Sequence, residues 1–203
     1  MYGRVKRTID VGVALALSIA MSPFLLLLTL IVRVTMGSPV LFRQTRAGLG
    51  GRPFTLLKLR TMRLPGSGET SIGSDDARLT RVGSWLRRTS LDELPQLLNV
   101  LRGEMSLVGP RPLLPEYLPR YSAEQARRHA VRPGITGLVQ VSGRNALSWS
   151  DRLSLDVWYV DHRSTWLDLS ILGRTVLAVL SGRGARDAHV TSMEFMGQGR
   201  CDS

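Results

Sequence analysis

One stretch dominates the pattern of apolar and polar positions: from Val11 to Val32 the chain carries no charged residue. A run of about 20 apolar residues suffices for a membrane-crossing helix, and it exceeds the ~7–15 apolar residues of a cleaved signal, whose small-residue cleavage site is also missing. At its middle stands Ser22-Pro23. Proline removes a backbone donor and crowds the preceding turn, which favours a sharp bend, and the Ser22 hydroxyl can serve the carbonyl set free. Each arm would be about 16 Å of helix at 1.5 Å per residue, too short for a hydrocarbon core of about 30 Å. The pattern therefore admits both a proline-kinked spanning helix and a re-entrant hairpin that enters and leaves by one face.

Beyond Gly37-Ser38-Pro39 the rhythm changes. Val40 to Arg43 and Phe54 to Leu59 read as short strands joined through the glycine-rich Ala47 to Gly51, which lacks the terminal Gly-Lys-Ser/Thr of a phosphate-binding loop and is read as a turn. Leu64 to Asp76, rich in Gly and Ser, reads as a mobile loop. Leu79, Val82 and Leu86 share one face of a helix, and a second helix is expected from Leu91 to about Leu101, ending at Gly103. Pro110, Pro112, Pro115 and Pro119 exclude long regular structure. Helices follow near Ser150–Tyr159 and Ser164–Leu180, the last able to pack on the core or lie at a membrane surface, before a weakly structured tail from Gly182.

Charge sharpens this picture. The 203 residues hold 27 Lys and Arg against 16 Asp and Glu, a net of +11, yet the first 63 residues carry ten basic groups and one acid, Asp10. Cationic flanks around an apolar run point to anionic lipid before nucleic acid. Arg4, Lys6, Arg7 and Arg33 are placed to hold both ends of the segment at such a surface. Cys201, the single cysteine, excludes an internal disulfide and a Cys-rich zinc site, and His129, His162 and His189 have no metal-ligand spacing.

The densest polar group is Arg87-Arg88-Thr89-Ser90-Leu91-Asp92-Glu93-Leu94-Pro95-Gln96. Its plain reading is a helix start, either a Ser90/Glu93 capping box or an Asp92 cap with Pro95 in the first turn, and only the second spares Pro95 a lost hydrogen bond. At the donor-rich end of a helix beside two arginines, Asp92 would be an ionised carboxylate of low pKa, usable as a nucleophile or a magnesium ligand in phosphate chemistry. Arg111, between Pro110 and Pro112, would present its guanidinium from a stiff loop. Lys58, Arg60 and Thr61 end a strand, and Arg144 follows Gly143 in a turn.

Taken together, Lys6-Arg7-Thr8-Ile9-Asp10, the Ser22-Pro23 break, Phe54 through Lys58 to Arg60-Thr61-Met62, Arg87 through Asp92-Glu93 to Asn99-Val100-Leu101, Met105-Ser106-Leu107-Val108-Gly109-Pro110-Arg111-Pro112, Arg132-Pro133-Gly134-Ile135-Thr136-Gly137 and Gly143-Arg144-Asn145 resemble the bacterial sugar transferase family, specifically its small monotopic phosphoglycosyl transferases. The resemblance implies an α+β, mainly helical fold. Residues 1–36 would be the re-entrant helix-break-helix with its basic flank. Residues 37–182 would be a cytoplasmic-face catalytic domain with a short β-hairpin and amphipathic interfacial helices, and 183–203 a tail. It implies transfer of a phosphosugar from a UDP-sugar to polyprenol (undecaprenyl) phosphate, releasing UMP, at the bacterial inner membrane. By carry-over Asp92 is the nucleophile and Glu93 its acidic partner, both toward Mg²⁺; Lys58, Thr61, Arg87, Arg111 and Arg144 bind phosphate and nucleotide groups, and Arg60 can join Lys58 there. Anionic lipids are the further partners, nucleic acid is not one, and a homodimer is left open. Leu59 stands where relatives often carry an aromatic, and Glu104 where aspartate is frequent.

Two other readings keep the same charge pattern: a membrane-anchored binder of nucleic acid or anionic lipid, and an inactive scaffold. The binder predicts steeply salt-sensitive binding that tolerates Asp92→Asn.

Overall fold

The computed structural model of the chain describes residues 2–64, 78–143 and 147–181. The Gly/Ser-rich loop after Leu64, Arg144 and the tail from Gly182 lie outside the described residues. The architecture is mainly helical. Helix α1 spans Tyr2–Met36 and is long and apolar enough to cross a membrane. Pro23 lies inside it, so the expected break is a position within one continuous helix rather than a non-helical gap between two. The physical reason is local: Ser22 Oγ donates to Ile19 O at 2.8 Å, and Ile19 is the residue whose carbonyl loses its partner when position 23 is proline.

Strands β1 (Leu41–Ala47) and β2 (Pro53–Leu59) form the expected antiparallel hairpin, with Phe42 opposite Lys58 and Arg46 opposite Phe54. Helix α2 (Arg81–Arg88) starts at Thr80, whose hydroxyl accepts from Gly83 N at 2.9 Å. Helix α3 (Gln96–Arg102) ends on Gly103, which takes the left-handed conformation expected of a C-terminal stop. Asn99 on α3 is fully buried and joins it to the hairpin: it accepts from Leu57 N and donates to Thr55 O and to Glu104 Oε2. Glu104 is thus a structural acceptor.

The two proline- and glycine-containing motifs of the second half meet each other. Strand β3 (Ser106–Val108) pairs in parallel with β4 (Gly134–Thr136), although residues 109–133 separate them. Glycine is required there because a Cβ on Gly134 would stand 2.1 Å from Gly109 N, and one on Gly109 would stand 2.4 Å from Arg132 O. Between the strands lies α4 (Ala123–Ala126), closed by a Ser122/Gln125 capping box. Short helix α5 (Leu138–Ser142) and the longer α6 (Trp149–His162) and α7 (Thr165–Leu180) complete the body, the last two close to their expected bounds.

One core cluster draws Ala14 from α1, Leu56 from β2, Leu97 and Val100 from α3, Val108 from β3, Tyr159 from α6 and Ile171 from α7. A second gathers Leu28, Val32, Leu59 and Leu86. The Lys6-Arg7-Thr8-Ile9-Asp10 motif serves this packing. Asp10 is buried and accepts from Ser106 Oγ at 2.7 Å and Leu107 N. Lys6 pairs with Asp168 at 2.7 Å, and Arg7 donates to Val100 O and Leu101 O at the C-terminus of α3. Lys6 and Arg7 are therefore committed to the protein's own carboxylates and carbonyls, a correction to their expected place on the lipid surface; Arg4 and Arg33 are exposed.

Candidate active site

β2 and the turn after α2 supply the site. Strand periodicity puts Leu56 and Lys58 on one face of β2, toward a small cleft that Glu93, Gln96 and Arg111 also line. Between α2 and α3 the chain reverses through Ser90, in the left-handed region at φ 56°, and enters a tight 3-10 turn over Leu91–Glu93. Neither expected cap forms: Ser90 makes no side-chain capping bond, and α3 starts only at Gln96, with Pro95 at the boundary position where its missing N–H costs nothing. The turn leaves Asp92 only 7% exposed.

Glu93 is the centre of the cation contacts. Lys58 Nζ lies 2.6 Å from its Oε1, and Arg111 Nη2 stands 3.5 Å from the same oxygen. Arg111 is half-exposed. Arg87 Nε donates to Thr61 Oγ1 at 3.0 Å, so Thr61 orients the arginine. Burial pushes the Asp92 carboxyl up to about 6; Glu93 adds to the rise, while Lys58, Arg87 and Arg111 oppose it. The low pKa expected from a helix terminus beside arginines is therefore reversed, because desolvation outweighs the three cations. Lys58, Thr61, Arg87, Asp92, Glu93 and Arg111 are brought together; Arg144 lies outside the described residues. Arg60 is buried, and its Nη2 donates to Met36 O and Gly37 O at the end of α1.

The bacterial sugar transferase family matches residues 1–182, nearly all of the chain. The chain belongs to the bacterial sugar transferase family. It is 51% identical over 199 residues to the "Uncharacterized sugar transferase EpsL" of Bacillus subtilis (strain 168), covering 98% of each. It is 47% identical to the "UDP-glucose:undecaprenyl-phosphate glucose-1-phosphate transferase" of Caulobacter vibrioides, over 87% of this chain and 70% of that one. The "UDP-galactose-lipid carrier transferase" of Erwinia amylovora is 41% identical over 89% of this chain, which spans 41% of its length.

For this sugar transferase a magnesium ion is a chemical fit. Magnesium is held by one or two carboxylates together with substrate phosphates and water. Asp92 and Glu93 offer that donor pair, and burial first and the Glu93 charge second raise Asp92, both of which a bound cation would oppose. No group of three acidic, His or Cys ligands occurs among the described residues, so these two and substrate oxygens would hold it.

The structure adds residues that no motif pointed to. Arg128 and Asp156 form a buried ion pair at 2.7 Å, and Arg128 Nη2 also donates to Arg111 O at 2.7 Å. Asp156 thus fixes Arg128, which fixes the backbone of the Pro110-Arg111-Pro112 turn. Twenty-eight residues separate the pair, beyond any local sequence signal. Asp156→Ala would leave a buried guanidinium unpaired and is expected to destabilise the fold by about 3–5 kcal/mol. Denaturant unfolding checks this; a loss below about 1 kcal/mol would show the pair to be dispensable.

Proposed function

We propose that the chain transfers a phosphosugar from a UDP-sugar to polyprenol phosphate, releasing UMP, through a covalent intermediate on Asp92, at the cytoplasmic face of the bacterial plasma membrane. The observation that carries the reading is a buried carboxylate surrounded by Lys58, Arg87 and Arg111. The names of the Caulobacter and Erwinia relatives, a glucose-1-phosphate transferase acting on undecaprenyl phosphate and a galactose-lipid carrier transferase, support the substrate classes.

In the first step an Asp92 carboxylate oxygen attacks the sugar-bearing phosphorus, the bond from that phosphorus to the bridging oxygen breaks, and the electron pair leaves with UMP. In the second, a phosphate oxygen of the polyprenol attacks the acyl phosphate, and the Asp92 carboxylate is regenerated. Lys58 and Arg111 bind the diphosphate, Arg87 is aimed by Thr61, and Glu93 holds the two cations beside the nucleophile. The chemistry that Mg²⁺ supplies when bound is neutralisation of phosphate charge.

The membrane path proposed is a re-entrant hairpin with its apex near Ser22-Pro23. Residues 15–17, 19–23, 26 and 27 are exposed, whereas α1 is tied to the body at both ends, through Lys6, Arg7 and Asp10 and through Met36 and Gly37. Arg7 binds the C-terminus of α3, and Leu94, just before that helix, packs on the cluster of Leu28 and Val32. In a straight helix Arg7 and Leu28 would stand about 31 Å apart, roughly three times the length of α3, so a bend accounts better for both contacts. Trp166, 80% exposed, with Leu169, Val176, Leu177 and Leu180 on α7, gives an apolar surface for the same interface, and Arg4 and Arg33 suit anionic lipid.

The test is to supply nanodisc-embedded protein with Mg²⁺, polyprenol phosphate and a panel of UDP-sugars. UMP release from at least one sugar is expected, dependent on both Asp92 and the lipid phosphate. Absence of UMP with every sugar, together with salt-sensitive nucleic-acid binding that Asp92→Asn leaves unchanged, would favour the binder. Cysteines placed at positions 4 and 34 should be labelled from the same side of the membrane; labelling from opposite sides would establish a spanning helix.

A further inference from the structure

The cleft holds one cation that neither the sequence motifs nor the proposed chemistry employs. Arg46, on β1, lines it with Lys58, Glu93 and Arg111. Its guanidinium is held from behind by neutral groups: Nη2 donates to Gln44 Oε1 at 2.6 Å, and Nη1 reaches Pro112 O at 3.4 Å. Its Nε is buried without a hydrogen-bond partner, and among the described residues no carboxylate pairs with it. Ala47 N donates to Leu113 O at 2.9 Å, so the strand that carries Arg46 is fastened to the turn that carries Arg111.

The electrostatic neighbours give an order. Lys58, Arg87 and Arg111 act on the Asp92 carboxyl, whereas Arg111 is the cation that acts on Arg46, whose pKa burial and that neighbour lower to about 10. The contacts agree: Arg111 Nη2 stands 3.5 Å from Glu93, the neighbour of Asp92, and Arg46 Nη1 reaches the carbonyl of Pro112, the neighbour of Arg111. A diphosphate has the same two-part form, one phosphorus attacked and the next departing. Lys58 and Arg111 share the one carboxylate of Glu93, so the three cations of the cleft exceed its charge, and Arg46 has no carboxylate within ion-pair distance among the described residues.

We infer that Arg46 binds the phosphate of the departing nucleoside monophosphate, with Arg111 between it and Asp92. The inference rests on the phosphosugar-transfer reading. In the first step UMP gains the electron pair of the broken phosphorus–oxygen bond and one unit of negative charge, so a half-buried, pre-oriented guanidinium there stabilises the transition state more than the ground state. The second step involves no nucleotide and should not depend on Arg46.

The experiment uses full-length protein in nanodiscs, with Arg46→Gln and Arg46→Lys, both of which retain bulk on β1. Binding of labelled UMP is measured by equilibrium dialysis, and the two half-reactions are timed separately: UMP release without lipid phosphate, then discharge of the preformed intermediate by polyprenol phosphate. The expected result for Arg46→Gln is at least tenfold weaker UMP binding and at least tenfold slower UMP release, with the discharge rate within twofold of wild type; Arg46→Lys should recover part of the loss. Wild-type affinity for UMP in Arg46→Gln, or equal slowing of both half-reactions, would overturn the inference and leave the transferase reading standing. A wild-type protein that neither binds nor releases UMP would overturn both.

Discussion

Asp92→Asn is expected to abolish UMP release, by at least about 10³-fold, and at the same time to raise the melting temperature at pH 7. The two effects have one cause. Asp92 is held at about 6 in the folded chain against an ordinary carboxylate value of 3.8. Between those values the folded chain keeps a proton that the unfolded chain has lost, so the stability from Asp92 is fully present below the unfolded value and is lost as pH rises through about 6. A displacement of that size corresponds to on the order of 3 kcal/mol of destabilisation at neutral pH, which a neutral amide would not impose. The stabilisation by Asp92→Asn should fade as pH falls below about 6 and vanish near 4. Melting curves from pH 4 to 8 check it: an offset that does not change with pH would mean that packing, not charge, separates the two proteins. The wild-type rate should fall on the acid side of about pH 6, because the nucleophile must be ionised.

Gly83→Ala should be nearly as damaging although residue 83 has no reactive group. A Cβ on Gly83 would lie 1.8 Å from Thr61 O and 2.6 Å from Thr61 C, both backbone atoms that cannot rotate away. Helix α2 would have to lift from the end of β2. Arg87 rides on the same helix, and its Nε–Thr61 Oγ1 bond at 3.0 Å is the contact that aims it. Overpacking of this kind costs typically 1–3 kcal/mol and can exceed that. We expect a stability loss of about 3 kcal/mol and a fall in UMP release beyond what unfolding explains, measured at a temperature where the variant is still folded. Ser84→Ala, one residue further along the helix, is the control for helix propensity. Retention of wild-type stability by Gly83→Ala would show that α2 can shift without loss.

Both variants expose the division between what the chain order reveals and what packing adds. The apolar run, the proline inside it, the hairpin and the late helices follow local rules, because period, length and turn residues act over a few positions. The resemblance named six residues that the structure does bring together: Lys58, Thr61, Arg87, Asp92, Glu93 and Arg111. It also quoted Asn99, Gly109 and Gly134 as motif without saying what they do. Their contacts, Asn99 across β2 and the two glycines against each other, are made between segments far apart in the chain.

The sequence by itself determined the long apolar helix, the hairpin, the late helices, the excess of cations toward the N-terminus and the set of residues able to carry phosphate chemistry. Only the tertiary structure decided the electrostatic state of that set and the uses of individual charges. Burial turned Asp92 from an expected strong acid into a carboxyl raised to about 6, drew Lys6 and Arg7 away from lipid onto internal partners, put Arg46 into the cleft beside Arg111 and set Arg128 against the backbone of the Arg111 turn. The reason is desolvation: the free energy of a charge depends on the water removed from it and the partners brought to it, and both are set by segments remote in sequence.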